Sequence, residues 1–235
     1  PPTLRLASAA SDVYKRQGFN YNIGSFNTNL YLMEYNNQLI TTGEVNDVGA
    51  YIRENVKKSR RFGVEFTNVL NSKDFYVNSS LSLSRNLVYN FNETLYDYGA
   101  DFSQYNIIEN KYVITDLAFS PGVLLNNHFE WKANKFLSFI LNSKYVGKQY
   151  LDNTSNEKRV LKDFLINDFK IQTNLTNNVL NNLFFKIEIN NIFNVKYSSN
   201  GYTFGYYGGM DYEVRENYFY PQATRNIMFS VSIEI

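Results

Sequence analysis

Arg225–Ile235 reads R-N-I-M-F-S-V-S-I-E-I. Successive side chains of an extended strand point to opposite faces. Ile227, Phe229, Val231, Ile233 and Ile235 therefore share one face, and Asn226, Met228, Ser230, Ser232 and Glu234 share the other. The apolar side runs unbroken to the last residue. A soluble sheet rarely leaves such a strand uncovered. A strand with hydrocarbon on one side and an aqueous lumen on the other requires this pattern.

The rest of the chain extends the reading. At 235 residues it suits one large β domain. Apolar residues make up 44%, yet no run approaches the ~18 consecutive apolar residues of a membrane helix. That excludes a helical membrane protein and leaves a membrane β-barrel open. The net charge of +1 gives no electrostatic footprint for nucleic acid. The chain has no Cys, which suits an oxidising compartment but is weak evidence. Asn is abundant, and AT-rich coding is the plainest source of that.

Alternation predicts eight strands near 26–39, 57–69, 74–88, 121–131, 135–147, 163–175, 183–197 and 225–235, with Gly18–Asn22 as the tail of a further strand. Short connections at Leu70–Lys73, Lys132–Asn134 and Thr176–Asn182 alternate with long ones at 40–56, 89–120, 148–162 and 198–224. Outer-membrane barrels alternate short periplasmic turns with long extracellular loops in this way. Facing out would be Phe62, Val64, Phe66, Phe75, Val77, Leu81, Leu83, Leu165, Phe169, Ile171, Leu183, Phe185, Ile187 and Ile189. Glu65, Asp168, Lys170, Lys186 and Glu188 would face a polar lumen. Tyr31, Tyr35, Tyr145 and Tyr197 could form an interfacial aromatic girdle, with ordinary cross-strand packing as the other reading.

Residues 1–17 stand apart. Ser8–Gln17, S-A-A-S-D-V-Y-K-R-Q, back-translates codon for codon into a string resembling the transposon-end adapter of sequencing libraries. It is no signal peptide, having no apolar core. The expected organisation is a non-native segment at 1–17, outside the fold, and the barrel region at 18–235.

Four segments resemble TonB-dependent outer-membrane receptors, especially those of Bacteroidetes. They are N-L-Y-L-M-E-Y-N-N-Q-L-I-T-T-G-E-V-N-D-V-G (Asn29–Gly49), I-R-E-N-V-K-K-S-R-R-F-G-V-E (Ile52–Glu65), I-N-N-I-F-N-V-K-Y-S-S-N-G-Y (Ile189–Tyr202) and Y-F-Y-P-Q-A-T-R-N (Tyr218–Asn226). The resemblance implies an all-β chain, a transmembrane antiparallel β-barrel in which these eight strands are the last part of about 22 strands. It implies a Gram-negative outer-membrane location and active uptake of a scarce extracellular ligand, with a ferric siderophore as the first choice. The implied partners are the TonB energy-coupling complex, the barrel assembly machinery and lipopolysaccharide. The family's plug domain, TonB box and signal peptide have no counterpart in these residues. Ile235 also stands where the family usually ends in an aromatic residue.

No catalytic or cofactor motif is present: no P-loop, no G-x-G-x-x-G, no H-E-x-x-H and no Cys pair. An enzyme is not expected, nor a resident cofactor or metal. His128 is the one histidine, and a lone His cannot build a zinc site. Glu93, Asp97 and Asp101 offer oxygens for Ca²⁺, but a solvated acidic loop is the plainer reading. Lys57, Lys58, Arg60 and Arg61 form a basic cluster that could meet phosphates or simply be solvated. Functional weight therefore falls on the loops. Tyr96, Tyr98 and Tyr105 in one, with Tyr202, Tyr206 and Tyr207 in another, are the candidate ligand contacts, since aromatic faces stack and hydroxyls bond. A passive porin or adhesin barrel, or a soluble carbohydrate-binding β domain, would share some of these features.

Overall fold

The computed structural model describes residues 13–23, 25–46, 48–175, 182–209 and 212–234. Among these there is no helix. The strands are β1 (Val13–Ile23), β2 (Phe26–Val45), β3 (Tyr51–Asn71), β4 (Phe75–Asp97), β5 (Asn106–Asp116), β6 (Val123–Lys132), β7 (Leu137–Val146), β8 (Gln149–Tyr150), β9 (Val160–Leu161), β10 (Phe164–Leu175), β11 (Asn182–Asn190), β12 (Ser198–Tyr207), β13 (Glu213–Pro221) and β14 (Asn226–Glu234). Nine form an antiparallel meander in the order β1-β2-β3-β4-β6-β7-β10-β11-β14. These are the eight expected strands with the further one before them.

β1 pairs with β2 from Val13↔Asn36 to Ile23↔Phe26. It thus crosses the expected boundary at Gln17. The ladder is made by backbone groups, which pair whatever the side chains are. Residues 1–12, Ile235 and most of the Thr176–Asn182 turn lie outside the described residues.

Register carries the two-residue alternation from strand to strand. One apolar row runs Phe129, Leu141, Phe169, Ile189, Ile227, and the next runs Trp131, Phe139, Ile171, Ile187, Phe229. Ring stacking reinforces them, with centroids 5.4 Å apart for Trp131–Phe139 and 6.2 Å for Phe139–Phe169. Among the described residues nothing covers this face: Phe229 is 74% exposed and Val231 60%. A continuous apolar face of this kind needs an apolar solvent.

The opposite face is polar. A row there reads Asn78, His128, Asn142, Asp168. Towards the long-loop end it turns apolar, where Val146, Phe164 and Ile166 pack with Leu124, Val195 and Tyr197. Tyr197 closes on Phe164 at 4.4 Å, so it belongs to this face. Tyr31 and Tyr35 alternate with Leu30 and Leu32 and fall here too. Of the four girdle tyrosines only Tyr145, paired with Leu125 and Leu165, lies on the apolar face. The other three do not join a girdle, because the face a strand residue occupies is set by its parity and not by its being aromatic.

The short turns gather at one end and the long connections at the other. The long connections are not open loops. β2, β3 and β4 are 20, 21 and 23 residues long, against the ~9–11 that a tilted membrane strand needs. β2 and β3 extend as a hairpin with each other, β4 continues into one with β5, and β12 and β13 form a further hairpin. Such ribbons satisfy backbone groups that a packed, irregular loop would leave unpaired. Ile40, Val56, Val88, Phe91 and Leu117 form a buried cluster beneath them.

The extensions begin with a change of phase. In β2 the polar-face side chains are odd-numbered up to Tyr35, but Gln38 and Ile40 are the buried ones above. In β4 the even-numbered set up to Val88 gives way to buried Phe91, Glu93 and Leu95. Between the two sets lie Asn37 (φ 59°) and Asn90 (φ 53°). One residue in the left-handed region displaces the alternation, and Asn tolerates that region better than most.

Side-chain position predicts a sharp asymmetry. Leu81→Arg, on the apolar face, should destabilise the sheet in lipid by about 2–4 kcal/mol, and Ser80→Arg, next to it on the polar face, by far less. Denaturant titration in phospholipid vesicles measures both, and equal costs would refute the face assignment.

Candidate functional site

The outer hairpins converge on Arg159, in the 149–161 segment between β7 and β10. Its Nη1 donates to Glu93 Oε1 at 2.7 Å, to Asp152 Oδ2 at 2.8 Å and to Thr154 Oγ1 at 3.2 Å. Its Nη2 donates to Glu213 Oε1 at 3.1 Å. Arg215 donates to Glu93 Oε1 at 2.7 Å and to Glu213 Oε1 at 2.5 Å. Tyr112 Oη donates to Glu93 Oε2 at 3.0 Å. Two guanidiniums and three carboxylates thus join the β4–β5, β8–β9 and β12–β13 hairpins. Arg159 and Asp152 are buried, so desolvation offsets much of the attraction between the pairs, while breaking one strands a buried charge.

Local features let these groups meet. The Arg215 guanidinium lies across Gly205, where a Cβ would fall 2.2 Å from its carbon. Gly43 has φ +100° and abuts the Leu151 carbonyl, so β2 passes directly under the 149–161 segment. Asn153, fully buried, locks that segment down. Its Oδ1 accepts from Ala118 N–H at 2.8 Å, and its Nδ2 donates to Thr41 O at 2.7 Å.

Burial raises the Glu93 carboxyl, but Arg159 and Arg215 beside it more than offset this and hold it below the usual range. Burial, with Glu93 adding, pushes the Tyr112 phenol up to about 12. Glu44 and Glu54 rise above the membrane strands, on the β2–β3 hairpin. Burial lifts each to about 7, in Glu44 against the pull of Arg215.

Four of the six candidate tyrosines come together on this scaffold. Tyr96 and Tyr105 stack at 5.3 Å and 26°, Tyr98 lies 6.1 Å from Tyr105, and Tyr206 meets Tyr98 edge-on at 6.0 Å. A parallel bridge, Tyr206↔Tyr96 and Tyr207↔Asp97, binds the hairpins beneath them. Tyr207 contributes backbone: its carbonyl accepts Tyr98 N–H at 2.8 Å, and alternation puts its side chain on the other face of β12. Tyr202 stands apart, stacked on Tyr218 at 4.8 Å.

The remaining candidates scatter. Lys170 and Lys186 both pair with Glu188 on the polar face. Asp168 accepts from Asn191 N–H at 2.8 Å, and Glu65 accepts from Asn29 Nδ2 at 2.9 Å. The basic cluster divides by parity. Arg60 pairs with Glu34 and, with Lys58, approaches the Tyr89 ring, while Arg61 lies over Tyr35 on the opposite face. The acidic trio also divides: Glu93 serves the arginines, Asp97 accepts from Gly99 N–H and Asp101 from Ser103. His128 Nδ1 lies 2.7 Å from Asn142 Oδ1, its ring edge-on to Tyr76.

Sequence reasoning missed Arg159, Asp152, Glu213 and Arg215. Charges in polar connections read as solvated, and no spacing marks these as partners.

No family model and no curated protein sequence matches the chain. Solved structures do. The ferric-catecholate import receptor Fiu of E. coli K12 superposes with a TM-score of 0.60 at 15% identity, over 94% of this chain and 27% of that one. The siderophore receptor PiuA of Acinetobacter baumannii gives 0.62 at 13%, over 94% and 28%. The ferripyoverdine receptor of the outer membrane of Pseudomonas aeruginosa gives 0.52 at 15%, over 94% and 26%. The chain therefore spans little more than a quarter of each. The likeness shows the fold: an antiparallel sheet like a stretch of the barrel of these receptors.

Two outcomes follow. Arg159→Ala should lower the opening free energy of the outer hairpins by about 3–5 kcal/mol and leave the membrane strands intact, read by hydrogen exchange resolved along the chain. The second concerns pH. The folded values of Glu44 and Glu54 lie above the unfolded 4.5, so the folded cap favours their protonated forms. Its stability should fall as pH rises from about 4.5 to about 7 and then level off. Glu54→Gln should flatten part of that slope in the same exchange experiment.

Proposed function

We propose that the chain forms part of the barrel and the extracellular cap of a TonB-dependent outer-membrane receptor, an active importer and not an enzyme. The ligand class is a ferric siderophore. The observation that carries the reading is an in-register sheet, apolar on one face and polar on the other, with tight turns at one end and a rigid, tyrosine-bearing cap at the other. The fold likeness to iron-siderophore receptors supports it.

In this reading the apolar face meets lipid and lipopolysaccharide, and the barrel assembly machinery inserts it. Lys170, Lys186, Glu188, Asp168 and Glu65 line the aqueous side. The Arg159 network fixes the hairpins before ligand arrives, so little ordering entropy is lost on binding. Tyr96, Tyr98, Tyr105 and Tyr206 offer ring faces and hydroxyls to a flat ligand. TonB, working from the inner membrane on a plug contributed from outside these residues, drives passage.

The parent receptor, expressed in a Gram-negative strain stripped of its own siderophore receptors, should restore uptake of radiolabelled ferric siderophore only when TonB is present. Tyr98→Ala should weaken binding about tenfold, the ~1.4 kcal/mol expected of a central aromatic contact. Uptake independent of TonB would point to a passive pore, and absence from the outer membrane would reject the reading.

A further inference from the structure

A polar row crosses the apolar face. Pairing aligns Asn68 with Ser79, Ser79 with Asn127, Asn127 with Ser143 and Ser143 with Asn167. All five share the parity of the apolar set. Leu81, Leu125 and Tyr145 stand on one side of the row, and Val77, Phe129 and Leu141 on the other. The row is tied together in pairs. Ser79 Oγ donates to Asn127 Oδ1 at 2.6 Å, and Ser143 Oγ donates to Asn167 Oδ1 at 2.6 Å. Asn167 is buried, which closes that end of the row. Asn127 is half-buried, and its Nδ2 has no hydrogen-bond partner among the described residues.

Hydrocarbon does not suit such a group. An amide that faces lipid loses its hydrogen bonds to water and gains none. Membrane proteins satisfy these groups against another protein surface, and small side chains let the surfaces approach. Ser79 and Ser143, on either side of Asn127, are small. A carboxamide is its own complement. It donates through nitrogen and accepts through an oxygen with two lone pairs, and Ser79 occupies one of the pair at Asn127. The same row on a second copy therefore supplies what this one lacks.

The slope of the row decides where two copies touch. It runs across the strands, from near the turn end of β3 to near the outer end of β10. Membrane strands tilt by ~35–45°, so the row climbs obliquely. Two copies inserted in the same sense are related by a two-fold axis along the membrane normal. Where their surfaces face each other the two rows slope oppositely and cross at one point. Asn127 is the middle residue of the row and carries the open amide.

We propose that Asn127 is the centre of a contact between two copies of this chain within the membrane, each Asn127 amide donating to the carboxamide oxygen of the other. The contact rests on the membrane reading above.

The test uses the parent receptor in outer-membrane vesicles, with single cysteines introduced in a Cys-free background. On oxidation Asn127→Cys should give a disulfide-linked dimer. Asn68→Cys should not, because two strands from the crossing the rows have diverged beyond disulfide reach. Energy transfer between labelled copies in phospholipid vesicles, followed as lipid is added, measures association. Asn127→Leu should weaken it about tenfold, and Asn127→Gln, which keeps the amide, should retain most of it. Ferric-siderophore uptake by Asn127→Leu should match wild type, which shows that the variant folds. A monomeric receptor that still imports, equal association of Asn127→Leu and wild type, or cross-linking at Asn127 only to a different protein overturns the contact and leaves the transport reading standing. Absence of the receptor from the outer membrane overturns both.

Discussion

Register governs everything else in this molecule. In a sheet of antiparallel pairs every residue is placed by two neighbours, and a one-residue slip would move a strand's whole apolar set to the wrong face. Here the pairing keeps Phe129, Leu141, Phe169, Ile189 and Ile227 in one row across five strands. The energy at stake is that of hydrocarbon-facing surface, and no single contact decides it. Because backbone hydrogen bonds cannot be left open in lipid, the ladder and the alternation constrain each other.

Beyond the membrane strands the governing chemistry changes. Packing around Val88 and Phe91 is ordinary hydrophobic burial, but the hairpins are joined by charge. Desolvating five ionised groups is expensive, and only mutual saturation makes it tolerable. Glu93 illustrates this: it accepts from two guanidiniums, a phenol and the Asn110 amide. A network so interdependent ties the β4–β5, β8–β9 and β12–β13 hairpins into one body. The tyrosines above are therefore held on a stiff mount, which suits stacking.

The membrane strands were legible because lipid imposes a strict period of two, plain in Phe75–Leu87 and in Asn226–Glu234. The turn positions were legible for the same reason, since the period breaks there. The outer hairpins were not. Glu93, Arg159 and Arg215 carry no local signature, and their partners lie far off in the chain. Tyr31, Tyr35 and Tyr197 fall on the polar face and not in a girdle, because parity and not residue type sets the face. Asn abundance, read as coding bias, also has structural uses: Asn37, Asn90, Asn191 and Asn194 all adopt positive φ, and Asn153 bonds two backbone groups from the interior.

Asn37 and Asn90 have one more consequence. Each lies where a membrane strand passes into its hairpin, and each absorbs a one-residue change of phase. Such a joint works as a mechanical coupling between two gears of different pitch. What lies above it can be lengthened, shortened or re-patterned without turning the strand below, so the cap can change while the apolar face stays fixed.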